Sequence, residues 1–174
     1  MTRPFFSKER ISDFDIFEKH AEDAIQQMKI RLREGYPVDF QDLASRFTID
    51  SASEFLFGRD VRSLSAGIIY PPASPLSKDP TFLTHPSNLF FRAFTGSQIA
   101  AASRTNYGSS WRFAEFWQDQ VQAHMKVCYE FIEPIIADIL AKKHEQKRLG
   151  LDVKGEVKES ETLLEHLVNY TEGA

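Results

Sequence analysis

The stretch DFQDLASRFTIDSASEFLFG, residues 39–58, decides the fold. Read as a helix, it sets Phe40, Leu43, Ala44, Phe47, Ser51 and Phe55 along one stripe, at spacings of three and four. Asp39 suits an N-cap, Asp42 falls in the first turn, and Gly58 can take the left-handed conformation that ends a helix. Ile49, Ala52, Leu56 and Phe57 occupy much of the remaining circumference. A helix apolar on most sides is packed on most sides, so 39–58 is predicted to be the central helix of a bundle.

On its N-terminal side, 12–35 reads as a second helix. Ser12 is its expected cap, Ile11 and Ile16 sit at the staple positions, and Phe14, Phe17, Ala21, Ala24, Ile25, Met28 and Leu32 form the expected buried stripe. Asp13, Asp15 and Glu18 near the start, with Lys29, Arg31 and Arg33 near the end, match the helix dipole. A turn through Tyr36 and Pro37 leads into the central helix.

On its C-terminal side the pattern changes. Pro71, Pro72, Pro75, Pro80 and Pro86 make a long helix untenable over 59–86. This region is predicted to be one long irregular loop with a short extended piece at 67–70. Connections of that length are uncommon in compact domains unless they cover something or are functional. Helix is expected again over 87–104, broken at Tyr107, Gly108, Ser109 and Ser110. A long helix is then expected from about Trp111 to Gln146, kinked at Pro134. At ~1.5 Å per residue such a helix would reach about 50 Å, more than the ~40 Å width of a domain of this size, implying a larger partner surface. A charged linker follows over 150–159, and Ser160 is expected to cap a last short helix ending near Tyr170. The fold class is therefore mainly α, five or six helices with one long irregular loop. Residues 1–174 read as a single, incomplete helical domain.

With 174 residues, 42% apolar, the chain can bury one core. A formal charge of −4 argues against nucleic acid as a partner, because such proteins normally carry a basic face. The one cysteine, Cys128, rules out an internal disulfide and fits a reducing surrounding. No apolar run approaches the ~20 residues that span a bilayer, and the start lacks a signal-peptide pattern, so no anchor is expected within the chain.

The five histidines, His20, His85, His124, His144 and His166, show neither an i, i+4 pair nor a zinc-protease motif. They are expected to be exposed or on helix surfaces, with no metal site. No Gly-x-Ser-x-Gly elbow or Gly-rich phosphate loop is present. No catalytic residue is nominated.

Several stretches resemble fungal cytochrome P450 monooxygenases, especially a membrane-bound group oxidising fatty acids and alkanes. DFQDLASRFTIDSASEFLFG is similar to that family's E helix, and RPFFSKERISDFDIFEKHA to the end of its C helix running into the D helix. FFRAFTGSQIAAASRTNYG and WRFAEFWQDQ resemble the F helix and the start of the G helix, and ETLLEHLVNYTEG the H helix. The resemblance implies a partial cytochrome P450 fold, from the end of the C helix through the H helix. For the full-length family it implies haem, an apolar substrate, a reductase as electron donor, and the cytosolic face of the endoplasmic reticulum membrane.

The family's haem-ligating cysteine follows a Phe-x-x-Gly turn. Here Cys128 lies mid-helix between Val127 and Tyr129 and reads as an ordinary packed thiol. The Trp-x-x-x-Arg, acid–alcohol and Glu-x-x-Arg hallmarks are absent too, and Met1 resembles an internal methionine. The chain alone is expected to bind no haem and to be inactive. Its implied role is substrate contact: Phe94, Gln98, Ala101 and Ala102, with Trp111 and Phe113 beyond the turn, match the roof of the family's substrate cavity. The competing reading is that these aromatics simply pack helices together. Trp111, Phe113, Phe116 and Trp117 alternatively meet the lipid interface, where amphipathic aromatics are favoured. Two other classes remain open: a stand-alone helical module that binds lipid-like molecules, and a protein-interaction module.

Overall fold

A computed structural model describes residues 14–148 and 162–171. Its α-helices are α1 (Asp15–Arg33), α2 (Phe40–Phe57), α3 (Pro80–Thr84), α4 (Pro86–Tyr107), α5 (Trp111–Ala114), α6 (Gln120–Arg148) and α7 (Leu163–Thr171). Two 3-10 turns, Pro75–Lys78 and Gly108–Ser110, complete the regular structure, and no strand occurs among the described residues. The mainly α class is as expected. Helix α4 packs along α6, α1 packs on α2, and α7 touches both α2 and α6.

Helix α2 has the predicted ends. The Asp39 carboxylate accepts hydrogen bonds from the Gln41 and Asp42 amides, and Gly58 closes the helix at φ 66°. Of the predicted stripe Leu43 and Ser51 are buried and Ala44, Phe47 and Phe55 half-buried, but the buried face also takes in polar residues outside that stripe. Phe40 is 73% exposed, whereas Leu43, Arg46, Ile49, Asp50, Ser51 and Ser53 are buried. The central helix thus turns a largely polar strip inward. Helix α1 shows the same mixture: of the expected stripe Ala24 is buried and Phe17, Ala21 and Met28 half-buried, Phe14, Ile25 and Leu32 are exposed, and the polar His20 and Arg31 are buried. The reason is common to both. His20, Arg31, Arg46, Asp50 and Ser53 each find a partner on a facing element, and those partners are invisible to a periodicity count. Ser12, Ile11 and Asp13 lie outside the described residues.

Two apolar clusters flank this polar seam. One joins Ile49 and Val61 to Phe90, Phe91 and Ala93 of α4 and Cys128 of α6. The other joins Ala24, Leu43, Leu64 and Ile68. The region expected to be one irregular loop contains a 3-10 turn and α3, each begun by a proline behind a capping Ser74 or Asp79. The piece at 67–70 forms no strand, and Ile68 is buried.

The single helix expected over 111–146 is two helices. Asp119 breaks it by accepting from the Gln122 amide, an N-cap with Gln three residues on, and Glu115 accepts from the Gln120 amide. Helix α6 has 29 residues, so it is roughly 43 Å long at ~1.5 Å per residue. It runs unbroken through Pro134. Ser160 lies outside the described residues; α7 is capped by Thr162 and Glu165 in a reciprocal capping box.

Candidate functional site

The α4–α6 seam positions the residues nominated for substrate contact. Phe90 meets Phe131 at 4.6 Å between ring centroids and stacks with Phe94 at 6.1 Å. Phe94 is therefore half-buried and packed on the apolar cluster. Two residues further, a Cβ on Gly96 would stand 2.8 Å from the His124 ring, so the two helices close tightly there. Beyond that closure α4 opens to solvent: Gln98, Ala101 and Ala102 are exposed, as is Ile99.

The turn into α6 is organised by Arg104. Its guanidinium donates to both Glu115 oxygens, at 3.2 and 2.8 Å, and to Asp119 at 2.5 Å. The same group lies 4.0 Å over the Trp111 ring. The hydrogen bond from Arg104 holds the Glu115 carboxyl below its ordinary range, and Asp119 is held low first by the Gln122 amide and then by Arg104. Trp111 is half-buried under this clamp, while Phe113 is 81% exposed. Phe116 and Trp117 form an exposed edge-to-face pair with centroids 4.0 Å apart.

The six nominated residues do not close around one cavity. Phe94 sits in the seam, Gln98, Ala101 and Ala102 line the open stretch of α4, and Trp111 and Phe113 lie beyond the turn. An open hollow of about 780 Å³ lies instead beside the start of α6, lined among others by Trp117, Asp119, Lys126, Tyr129 and Glu130.

Sequence reading missed the polar seam altogether. Arg46 donates to Asp42 (2.8 Å), to the Ser63 carbonyl (2.9 Å) and to Asn88 (2.6 Å), with Phe91 beneath it. Asp50 accepts the Ser63 and Leu64 amides, one on each oxygen. Arg31 donates to the Ile68 carbonyl and lies against the Tyr70 ring. His20, expected at a surface, is 1% exposed and pairs with Glu54 at 2.6 Å, which also holds Lys19. The available signals were weak: polar residues at buried helix spacing, and an Asp60 that could start a turn.

Haem does not fit these residues. Cys128 is 1% exposed inside the apolar cluster of α4 and α6, and burial pushes its thiol pKa up, so it stays a neutral thiol rather than a thiolate ligand. No helix among the described residues is long and apolar enough to cross a membrane.

Comparison with known proteins gives the origin of this helical frame. Cytochrome P450 monooxygenase himC of Aspergillus japonicus is 30% identical over 145 residues, 83% of this chain and 23% of that protein. Cytochrome P450 monooxygenase fsdH of Fusarium heterosporum is 27% identical over 140 residues, 80% of this chain and 21% of that protein. Cytochrome P450 52A3-A of Candida maltosa is 38% identical over 105 residues, 60% of this chain and 18% of that protein. The chain belongs to the cytochrome P450 family. It spans about a fifth of the length of the curated relatives it matches. No family model and no solved structure matches it. The described residues supply the helical frame of that segment, with Cys128 buried inside it.

Proposed function

We propose that this chain serves as a wall of the substrate cavity in a haem-thiolate monooxygenase that inserts one oxygen atom from O2 into apolar molecules of the fatty acid, alkane or xenobiotic class. The observation that carries the proposal is the match to fungal P450 monooxygenases over as much as 83% of the chain. Phe94, Gln98, Ala101 and Ala102 form the contact surface, with Trp111 and Phe113 at its far end. Hydrocarbon laid on such a surface contributes about 25 cal/mol per Å² buried. Haem would supply oxygen activation in the full-length enzyme and a reductase its electrons. The chain alone is inactive.

The exposed Phe113, Phe116 and Trp117 support a second role, peripheral contact with the cytosolic face of the endoplasmic reticulum membrane. Their exposure equally supports the alternative of a stand-alone module that takes up lipid-like ligands or docks on a protein.

The test is to sequence the transcript across both ends of this reading frame and to express the resulting protein. A downstream Phe-x-x-Gly loop bearing a cysteine, with a haem-thiolate carbon monoxide spectrum, is expected. A haem-thiolate spectrum from the 174 residues alone would refute the inactive-segment reading. Saturable binding of a fluorescent fatty acid by those residues, with a cooperative melt, would favour the stand-alone module.

A further inference from the structure

At the junction of α1, α2 and the loop after α2, three carboxylates gather around one buried histidine. His20 and Asp50 are each 1% exposed, and Asp60 sits at the mouth with 20% of its side chain exposed. One potential ligand atom from each of these three lies within 4.8 Å of the other two. Glu54, on the turn of α2 after Asp50, shares the junction through His20. Against the three carboxylates the structure sets Lys19, which holds Glu54 at 2.7 Å and reaches Asp60 only at 4.0 Å. Three acids and one ammonium leave an excess of negative charge in a poorly solvated place, which is costly unless a cation compensates it.

We propose that His20, Asp50 and Asp60 form a binding site for one divalent cation of the zinc class. Imidazole with carboxylate oxygens is a donor set suited to Zn²⁺, which takes His nitrogen at ~2.0–2.1 Å and Asp oxygen at ~2.0–2.2 Å. Ligand atoms around a tetrahedral ion stand ~3.3–3.5 Å apart at those bond lengths, so atoms within 4.8 Å of one another need close by at most about 1.5 Å on binding. Asp60 can supply that movement, because it lies on the loop just past Gly58 while His20 and Asp50 are fixed in helices. Access is from the Lys19 side, which is half exposed, and the ion displaces the ammonium from Asp60. Sequence spacing anticipated no metal site here. His20, Asp50 and Asp60 are 10 to 40 residues apart and meet only through the packing of α1 on α2.

The experiment titrates zinc chloride into the metal-free full chain by calorimetry, with a parallel thermal melt. One-to-one binding and a raised Tm are expected. Asp60→Asn keeps the hydrogen bond that Asp60 accepts from the Arg62 amide, so it should fold, yet it should bind zinc at least tenfold more weakly. Lys19→Met should bind more tightly, since a competing cation is gone. No zinc response from the native chain overturns the proposal. So does an Asp60→Asn titration identical to the native one, which would place the metal on surface histidines, or a Lys19→Met affinity that fails to rise.

Discussion

Replacing Arg46 by methionine tests whether the polar face of α2 holds the loop that follows it. Methionine keeps an apolar stem of similar reach above Phe91 but removes the hydrogen bonds to Asp42, the Ser63 carbonyl and Asn88. Asp42, with only 12% of its side chain exposed, is left as a carboxylate whose remaining partner is the Ile69 amide. Removing one member of a buried ion pair costs roughly 3–5 kcal/mol, because the other charge is stranded. Water reaches part of Asp42, so the expected loss is near the lower end, about 3 kcal/mol. That is a large share of the ~5–15 kcal/mol by which single domains are stable. Adding Asp42→Asn should return about 1 kcal/mol, since the amide oxygen still accepts from Ile69 and no charge remains uncompensated. Urea denaturation followed by circular dichroism measures the native chain and both variants, provided the slope m is unchanged. If Arg46→Met costs less than about 1 kcal/mol, or Asp42→Asn deepens the loss, the network does not hold the loop and the reasoning fails.

Three further outcomes follow from the geometry. Gly96→Ala should destabilise by about 1–2 kcal/mol by forcing the His124 ring away, yet stabilise by ~0.5–1 kcal/mol in a His124→Ala background, where only the helix propensity gain remains. Thermal melts of the four-member set check that change of sign. Desolvation pushes Glu54 up, but hydrogen bonds from Lys19 and His20 outweigh it and hold its carboxyl below the ordinary 4.5. Its contribution is therefore present above about pH 4.5 and lost as pH falls through the lower folded value. Asp50 runs the other way, because burial holds its pKa above 3.8, so its contribution is full below 3.8 and fades as pH rises through the folded value. Glu54→Gln should consequently flatten the acid limb of a stability-versus-pH curve, and an unchanged limb would count against the Glu54 pairing. Cys128 should resist an aromatic disulfide reagent in the native chain and react promptly in urea, because burial raises its thiol pKa and blocks access.

What the sequence made legible was local. Asp39 and Gly58 mark the ends of α2 because a cap and a left-handed glycine act within a few residues of themselves. Pro75, Pro80 and Pro86 mark helix starts for the same reason, although here each opens a helical turn where five prolines had suggested only irregular chain. The break at Asp119 was legible in principle, as an Asp with Gln three residues later, but a strong apolar period on both sides masked it. Which polar side chains of α1 and α2 point inward was not legible. It depends on Arg31 reaching Ile68, Arg46 reaching Asn88 and Asp50 reaching Ser63, contacts 13 to 42 residues apart in the chain. The nominated roof residues show the same division. Their helices were found from sequence, while the opening of α4 past Gly96 is a property of how α4 meets α6.

The two amides bound by Asp50 also fix how far along α2 the loop can settle. Apolar side chains tolerate sliding, since one methyl group is nearly as good a neighbour as another. A carboxylate that must meet the Ser63 and Leu64 amides together has one acceptable position. Slipping by a single helical turn would carry it about 5.4 Å away and strand both donors. The seam between α2 and its loop therefore works as an alignment key: it selects one register and rejects the neighbouring ones, which oil-like packing alone would leave close in energy.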